Sequence, residues 1–173
     1  LSYKLASPDY CAPNLGFSGN PNMATAWASS VGQLGCELYN HPMAPTWVNI
    51  GQSNTDDMLT YWQDKSSGAW LEAPHYQLVA LQAIFFLKVA MKNAGFTTTA
   101  YDERLARTTR FLAKLSTPPD PRFGNYRHHP PLGNTYQMET TMLHGILAKY
   151  YRPYDAALAD ALQWIWIQEN KPN

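Results

Sequence analysis

The residues best suited to chemistry lie in one short segment, residues 68–77, which reads Gly-Ala-Trp-Leu-Glu-Ala-Pro-His-Tyr-Gln. The segment gathers Trp70, Glu72, His75 and Tyr76 around the expected start of a helix. The first turn of a helix has unpaired backbone N–H groups and a positive dipole end, so it favours anions such as a carboxylate ligand. Tyr and His side chains can also transfer protons. Taken alone, the segment favours buried core aromatics, and an acid–base or carboxylate-binding site is the alternative interpretation.

A second group of candidate residues lies in a long loop, residues 120–134, which is rich in Pro, Gly, Arg and His and has no hydrophobic period. Long irregular loops in compact domains often carry function. Basic side chains here could bind carboxylates, Arg through paired hydrogen bonds and His when protonated. These candidates are Arg122, Arg127, His128 and His129. A solvated or structural loop is the alternative.

Short motifs for other kinds of site are absent from the sequence. There is no phosphate-binding Gly loop, Gly-x-Ser-x-Gly, Cys-x-x-Cys or His-Glu-x-x-His sequence. Cys11 and Cys36 lack metal-ligand spacing, and two free thiols are slightly favoured over a disulfide. His144 falls inside a predicted helix, where a structural role is favoured over metal binding. We therefore expect no metal and no cofactor.

Composition restricts the classes of partner. Thirteen Lys and Arg residues balance thirteen Asp and Glu residues without a basic block, so no nucleic-acid partner is expected. The apolar stretches are too short or too interrupted to cross a bilayer, so no membrane partner is expected. With 45% apolar and 15% charged residues, the chain is expected to fold.

Apolar residues recur with a helical period, which predicts six helices and no strands. The expected helices run from an N-cap at Asn22 to about Tyr39, from Pro45 to Tyr61, from Pro74 to Gly95, from an N-cap at Asp102 to Thr117, from Thr135 to Tyr150, and from an N-cap at Asp155 onward. Their apolar faces are expected to include Met23, Leu38, Tyr61, Met142 and Ile146. Connections of this length favour antiparallel hairpins. The predicted fold is a single all-α domain over residues 1–173.

Three segments resemble the heparinase II/III-like polysaccharide lyases. They are Trp-Leu-Glu-Ala-Pro-His-Tyr-Gln at residues 70–77, Gly-Asn-Pro-Asn-Met at residues 19–23, and Pro-Pro-Leu-Gly-Asn-Thr at residues 130–135. The resemblance implies that the chain is the C-terminal part of an incomplete (α/α) toroid built from antiparallel hairpins. It also implies a downstream β-sheet domain that this chain lacks. The start at Leu1 without a Met likewise favours an excised piece, so the remainder of the parent protein is an expected partner.

The same resemblance implies a reaction and roles for particular residues. In that family a Tyr of the first segment donates a proton and often serves in the base, and Tyr76 occupies its position. The Asn-containing segment supplies an amide that neutralises the substrate carboxylate, a role for which Asn22 is preferred over Asn20. The implied activity is β-elimination on an acidic polysaccharide or oligosaccharide. Trp70, Glu72, His75 and the basic residues of the long loop are expected to bind the substrate.

Two other functional classes remain open on sequence grounds. An (α/α) toroid also houses glycoside hydrolases, which use two carboxylates roughly 5–10 Å apart. Glu72 with Asp56 or Asp57 would be that pair, although a Glu in the first turn of a helix also serves as a dipole partner. A noncatalytic helical carbohydrate-binding or scaffold module is the third class, because a fold does not by itself establish a function.

Overall fold

The computed structural model describes residues 21–99 and 101–173. This part of the chain has no β-strand and contains six α-helices: α1 Pro21–Glu37, α2 Ala44–Tyr61, α3 Pro74–Asn93, α4 Glu103–Lys114, α5 Leu143–Tyr151 and α6 Ala156–Gln168. The prediction of an all-α fold is confirmed. None of these helices is both long enough and apolar enough to cross a membrane.

The described residues form two compact units. Unit 1 contains residues 21–62 and 79–99, and unit 2 contains residues 63–78 and 101–173. Two of the helix starts in unit 2 follow from local chemistry, because an Asp side chain accepts a hydrogen bond from a backbone N–H of the first turn. Asp102 accepts from the Arg104 N–H at 3.0 Å before α4, and Asp155 accepts from the Leu158 N–H at 2.9 Å before α6. Both predicted caps are confirmed.

Unit 1 depends on a close crossing of α1 and α2. The helices are antiparallel, because Gly35 lies beside Ala44 while Gly32, earlier in α1, lies beside Gly51, later in α2. A Cβ added at Gly51 would lie only 2.9 Å from the backbone oxygen of Ala28 and 2.9 Å from the Cα of Gly32. The two backbones therefore touch, and no larger residue fits between them without moving a helix.

Apolar side chains of α1, α2 and α3 pack around this crossing. One cluster of buried residues contains Cys36, Val48, Leu87 and Met91. A second joins Val31 to Trp47. Cys11 lies outside the described residues, so the preference for two free thiols over a Cys11–Cys36 disulfide stays a prediction.

Five residues assigned to apolar faces are exposed. Met23 is 65% exposed, Leu38 46% and Tyr61 71%. Met142 and Ile146 are also on the surface, at 38% and 37%. The inward assignment of these residues is wrong, because close contact between α1 and α2 selects small residues and because α5 turns a different face to its neighbours. The buried residues of α5 are Leu143, His144, Leu147, Ala148 and Tyr151.

Unit 2 is built around an antiparallel hairpin of α5 and α6. Gly145 lies against the Trp166 ring near one end, and Arg152 donates to Gln163 at 2.9 Å near the other. Helix α4 also contacts α6. Six large residues of unit 2 are almost fully buried: Leu105, Leu112, Leu143, Leu147, Tyr151 and Leu162.

The predicted start of the fifth helix at Thr135 is wrong, because α5 begins at Leu143. Met138 has φ 62°, which breaks a helical path. The backbone oxygen of Glu139 accepts a hydrogen bond from the His129 N–H at 2.7 Å. Thr135, Glu139 and Thr141 make polar contacts with distant parts of the chain, which a helix over residues 135–142 would not provide.

Candidate functional site

A tight turn leads into the first candidate site. Asp64 Oδ1 accepts hydrogen bonds from the hydroxyl and backbone N–H groups of Ser66 and Ser67, at 2.6–3.1 Å. These donors, the Ser66 hydroxyl first, hold the pKa of Asp64 well below its usual value. Gly68 has φ 81°, and a Cβ there would collide with the carbonyl of Arg107. The turn is therefore docked closely on α4.

Helix α3 begins directly after this turn. Pro74 is its first residue, which suits a ring that lacks an N–H donor, and Tyr76 is its third. The buried side chain of Gln77 donates through Nε2 to the backbone oxygen of Thr108 at 3.0 Å and to its hydroxyl at 2.9 Å. This pair of bonds fixes the first turn of α3, and with it Tyr76, on α4.

The end of the long loop meets this helix start. The Nδ2 of Asn134 donates to the Tyr76 hydroxyl at 3.1 Å. The Nδ1 of His75 lies 2.6 Å from Glu139 Oε1, and the Tyr136 ring packs edge-on against His75 with centroids 4.9 Å apart. We call these five residues the Tyr76 cluster. Gly133 also approaches the side chain of Ala73, so the end of the long loop lies against the segment before Tyr76.

The Tyr76 cluster is layered from surface to interior. Asn134 is exposed, Tyr136 is 66% exposed and Tyr76 is half-buried. The side chains of His75 and Glu139 are only 22% and 13% exposed. The Tyr76 hydroxyl and the Asn134 amide can therefore meet a ligand, while the contact between His75 and Glu139 beside them joins the loop to α3. A phenol, an amide and an imidazole in contact can move protons and bind a carboxylate.

The two remaining candidates in this segment bind one another. The Trp70 Nε1 donates to Glu72 Oε2 at 2.9 Å. Trp70 is 7% exposed, so the flat face expected to stack on a sugar is buried. Glu72 is half-buried and its carboxylate orients the indole. These contacts support the shape of the turn.

The basic residues of the long loop differ in their surroundings. The Arg122 side chain is 79% exposed and pairs with Asp120 at 2.7 Å, and this guanidinium is the main reason why the pKa of Asp120 is held well below its usual value. His128 is buried with Nε2 at 3.7 Å from Asp120. Arg127 donates to a backbone carbonyl at 2.7 Å and lies 5.1 Å above the Trp164 ring. Arg122 is thus the loop cation that faces solvent most fully.

A groove of about 450 Å³ runs along this loop. Its lining combines apolar rings and polar groups: Thr117, Pro118, Pro119, Asp120, Pro121, Arg122, Phe123, His128, Pro131, Gln137 and Met138. Arg122 is its exposed cation.

A second polar cluster is fully buried in unit 2. His129, His144 and Glu169 each offer one ligand atom, and these atoms lie within 4.8 Å of one another. The His129 Nε2 lies 3.6 Å from Glu169 Oε1, and the His144 Nδ1 lies 3.1 Å from Glu169 Oε2. Burial, and then the neighbouring His144, lowers the pKa of His129 to about 3. These three residues could hold a metal ion, and His129 has no exposed surface for the predicted contact with a sugar.

Other predicted site residues lie outside unit 2. Asn22 is in unit 1, within the first turn of α1 instead of at its N-cap, and is 6% exposed. Asn20 lies outside the described residues. Asp56 and Asp57 belong to α2 in unit 1. The role of Asn22, and the pairing of Glu72 with either Asp, stay predictions.

Sequence reasoning missed four residues that the structure brings into these clusters. Asn134 stands within residues 130–135, a segment already singled out, so its amide could have been considered. Tyr136 and Glu139 were assigned to the fifth helix, but the structure starts that helix only at Leu143. Nothing in the sequence marked Glu169 as a site residue, because no ligand motif connects it to His129 or His144.

Comparisons of the chain with models of protein families, with curated proteins and with solved structures found no match. A functional proposal for this chain therefore rests on the Tyr76 cluster and on the resemblance of three short segments to heparinase II/III-like lyases.

Proposed function

We propose that this chain carries part of the active site of a polysaccharide lyase, which cleaves a uronic-acid-containing polysaccharide by β-elimination. One observation supports this proposal most directly. The half-buried Tyr76 hydroxyl stands at the first turn of α3 and accepts a hydrogen bond from the exposed Asn134 amide at 3.1 Å. A proton-transferring phenol and a carboxylate-binding amide are thus adjacent at one accessible point.

The proposed reaction requires both groups. β-Elimination removes the weakly acidic C5 proton of the uronic acid, and the negative charge that develops on the carboxylate must be stabilised in the transition state. The glycosidic oxygen on C4 leaves with a proton, and a C4–C5 double bond forms. In syn geometry Tyr76, as a phenolate, takes the C5 proton and then gives it to the departing oxygen. Tyr76 is unchanged at the end, so protons and electrons balance.

Asn134 is the amide that we assign to the substrate carboxylate. An Asn amide has two N–H donors, and the Tyr76 hydroxyl uses one of them. The second can donate to a carboxylate oxygen held next to Tyr76. In this proposal Asn134 supplies from the long loop what the resemblance assigns to Asn22.

The other members of the Tyr76 cluster position these two groups. Glu139 contacts the imidazole of His75 at 2.6 Å, and the backbone N–H of His75 donates a hydrogen bond to the Thr135 hydroxyl oxygen at 3.2 Å. These two contacts join the loop to the start of α3 next to the Tyr76–Asn134 contact. The exposed ring of Tyr136 offers an apolar face to a sugar, and Arg122 offers a cation in the neighbouring groove.

The test is an ultraviolet assay on the full-length protein with a panel of uronic-acid-containing polysaccharides, run beside an assay for reducing ends. A lyase forms a double bond conjugated with the carboxylate, so absorbance and reducing ends rise together. Reducing ends without absorbance indicate a hydrolase, and Glu72→Gln then tests the carboxylate mechanism. Binding without shorter products indicates a noncatalytic module. Either of these last two results refutes the proposal.

Variants then test the assigned residues. Tyr76→Phe removes one hydroxyl and little volume, and should lower kcat by about 100- to 10,000-fold, the usual contribution of general acid–base catalysis. Asn134→Ala should lower kcat by about 100- to 1,000-fold, as the loss of one oxyanion donor does. Tyr126→Phe is the matched control, since it makes the same change on an exposed Tyr of the same loop outside the cluster. Near-normal turnover by Tyr76→Phe would exclude Tyr76 from catalysis.

A further inference from the structure

The buried cluster of His129, His144 and Glu169 joins three separate segments of unit 2. His129 lies in the long loop, His144 in the first turn of α5, and Glu169 caps the C-terminus of α6. All three side chains are 0% exposed. Three polar side chains from three segments thus share one site that water does not reach from the surface.

Hydrogen bonding within the described residues leaves this cluster incomplete. Both ring nitrogens of His129 lack a hydrogen-bond partner there, as do His144 Nε2 and Glu169 Oε1. A neutral imidazole has one N–H that needs an acceptor, and buried polar groups are almost always paired. Glu169 Oε2 contacts His144 Nδ1 at 3.1 Å and accepts a hydrogen bond from the Thr141 N–H at 3.3 Å, but these contacts leave the other Glu169 oxygen unpaired. The unpaired nitrogens and carboxylate oxygen have the lone pairs that a cation needs.

The spacing of these atoms agrees with a metal-coordination polyhedron. With metal–ligand bonds of about 2.0–2.1 Å, neighbouring ligands of a tetrahedral ion lie about 3.3 Å apart. The distance from His129 Nε2 to Glu169 Oε1 is 3.6 Å, and the distance from His144 Nδ1 to Glu169 Oε2 is 3.1 Å. All three ligand atoms lie within 4.8 Å of one another. A small rotation of the two imidazole rings would bring the ligand nitrogens of His129 and His144 to the distance that one ion requires.

We propose that His129, His144 and Glu169 bind one divalent transition-metal ion of the Zn²⁺ type. Two imidazoles and one carboxylate suit zinc, whereas Ca²⁺ and Mg²⁺ require oxygen ligands throughout. Metals bind the neutral form of imidazole, so Zn²⁺ binding should weaken as the pH is lowered. The site has three protein ligands and is buried. The role of the ion is therefore structural: it holds the long loop, α5 and the end of α6 together.

The link extends to the Tyr76 cluster through two hydrogen-bonded contacts. The backbone N–H of His129 donates to the backbone oxygen of Glu139 at 2.7 Å. The side chain of Glu139 in turn holds His75 at 2.6 Å. An ion bound at His129 therefore stabilises the loop conformation that brings Asn134 to Tyr76. This role concerns the fold of unit 2, so it stands whether or not the protein is a lyase.

The experiment measures metal content and thermal unfolding of the purified protein. Elemental analysis should find about one zinc per chain, and dialysis against a chelator should remove it. Free Zn²⁺ at about one hundred times its Kd should raise the Tm of the metal-free protein by roughly 5–10 °C. Equal concentrations of Ca²⁺ or Mg²⁺ should leave the Tm unchanged. Co²⁺ should give the visible absorption bands of a tetrahedral nitrogen–oxygen site.

Variants locate the ion. His144→Gln and Glu169→Gln should weaken Zn²⁺ binding by more than about 100-fold, since even the loss of a group supporting a ligand costs 10- to 100-fold. His41→Gln is the control, because His41 is exposed and lies in unit 1. It should bind Zn²⁺ as the wild type does. If the two ligand variants fail to fold, the cobalt spectrum and the Tm shift of the wild type still decide.

Three outcomes would overturn the proposal. The first is a wild-type protein that neither retains zinc nor responds to Zn²⁺ in its Tm. The second is a Tm shift of the same size with Ca²⁺ or Mg²⁺, which would exclude a nitrogen-rich site. The third is loss of binding in His41→Gln but not in His144→Gln, which would move the ion elsewhere.

Discussion

Replacing Gly51 by Ala tests the close crossing of α1 and α2. The added methyl group would lie 2.9 Å from the backbone oxygen of Ala28, 2.9 Å from the Cα of Gly32 and 3.0 Å from Leu87 Cδ2. Ordinary contacts begin near 3.4 Å, so these atoms must retreat by about 0.5 Å. Leu87 can change rotamer, but the atoms of Ala28 and Gly32 are backbone. Helix α1 itself must therefore move.

Two opposing effects set the size of the change in stability. Ala is about 1 kcal/mol more favourable than Gly in a helix interior. Overpacking a close-packed site costs about 1–3 kcal/mol. Because two of the three crowded atoms are backbone, we expect the upper part of that range, and so a net loss of about 1–2 kcal/mol. For a protein of this size such a loss lowers the Tm by about 2–8 °C.

The assay compares urea and thermal unfolding of Gly51→Ala with those of Ser53→Ala. Ser53 is exposed on the same helix, so its replacement carries a gain in helix propensity without new contacts. Ser53→Ala should therefore be as stable as the wild type or slightly more stable. If Gly51→Ala is as stable as Ser53→Ala, the backbones of α1 and α2 do not touch at Gly51, and the reasoning fails.

Two further predictions concern unit 2. Gln77→Leu removes a buried amide that donates to two oxygens on α4, and should cost about 1–3 kcal/mol in urea unfolding, whereas Leu at the exposed Gln82 should cost little. Asp155→Ala should cost about 1 kcal/mol at pH 7 through loss of an N-cap. The Leu158 N–H, and then the Arg110 guanidinium, lower the pKa of Asp155. Its contribution is therefore complete above the unfolded pKa of about 3.9 and is lost as the pH falls through the lower folded value. A difference between wild type and Asp155→Ala that stays constant from pH 7 to pH 2 would contradict this reasoning.

The helices that the sequence predicted well are those whose ends depend on neighbouring residues. Pro74 begins α3, and Asp102 and Asp155 cap α4 and α6, because each acts on backbone groups within the next turn. The hydrophobic period places these helices without knowledge of their partners.

The faces of the helices and the start of α5 depended on tertiary structure. Periodicity alone favours large apolar residues as the buried stripe, yet the α1–α2 contact selects Gly32 and Gly51, because only their small size allows the backbones to touch. Residues 135–142 read as helical, but Glu139 obtains more favourable partners in His75 and His129. Whether a segment forms helical hydrogen bonds or bonds to distant residues cannot be predicted until the positions of those distant residues are known.

The same limit applies to the two candidate sites. The residue types around Tyr76 marked that segment for chemistry, since a Tyr and a His at a helix start are visible in the sequence. The partner of its hydroxyl, Asn134, is 58 residues away. His129, His144 and Glu169 follow no short ligand spacing, and became neighbours only because the long loop folds over the α5–α6 hairpin. Sequence determines which groups are available and where helices begin, whereas a site made from several segments forms only once packing has fixed the distances between them.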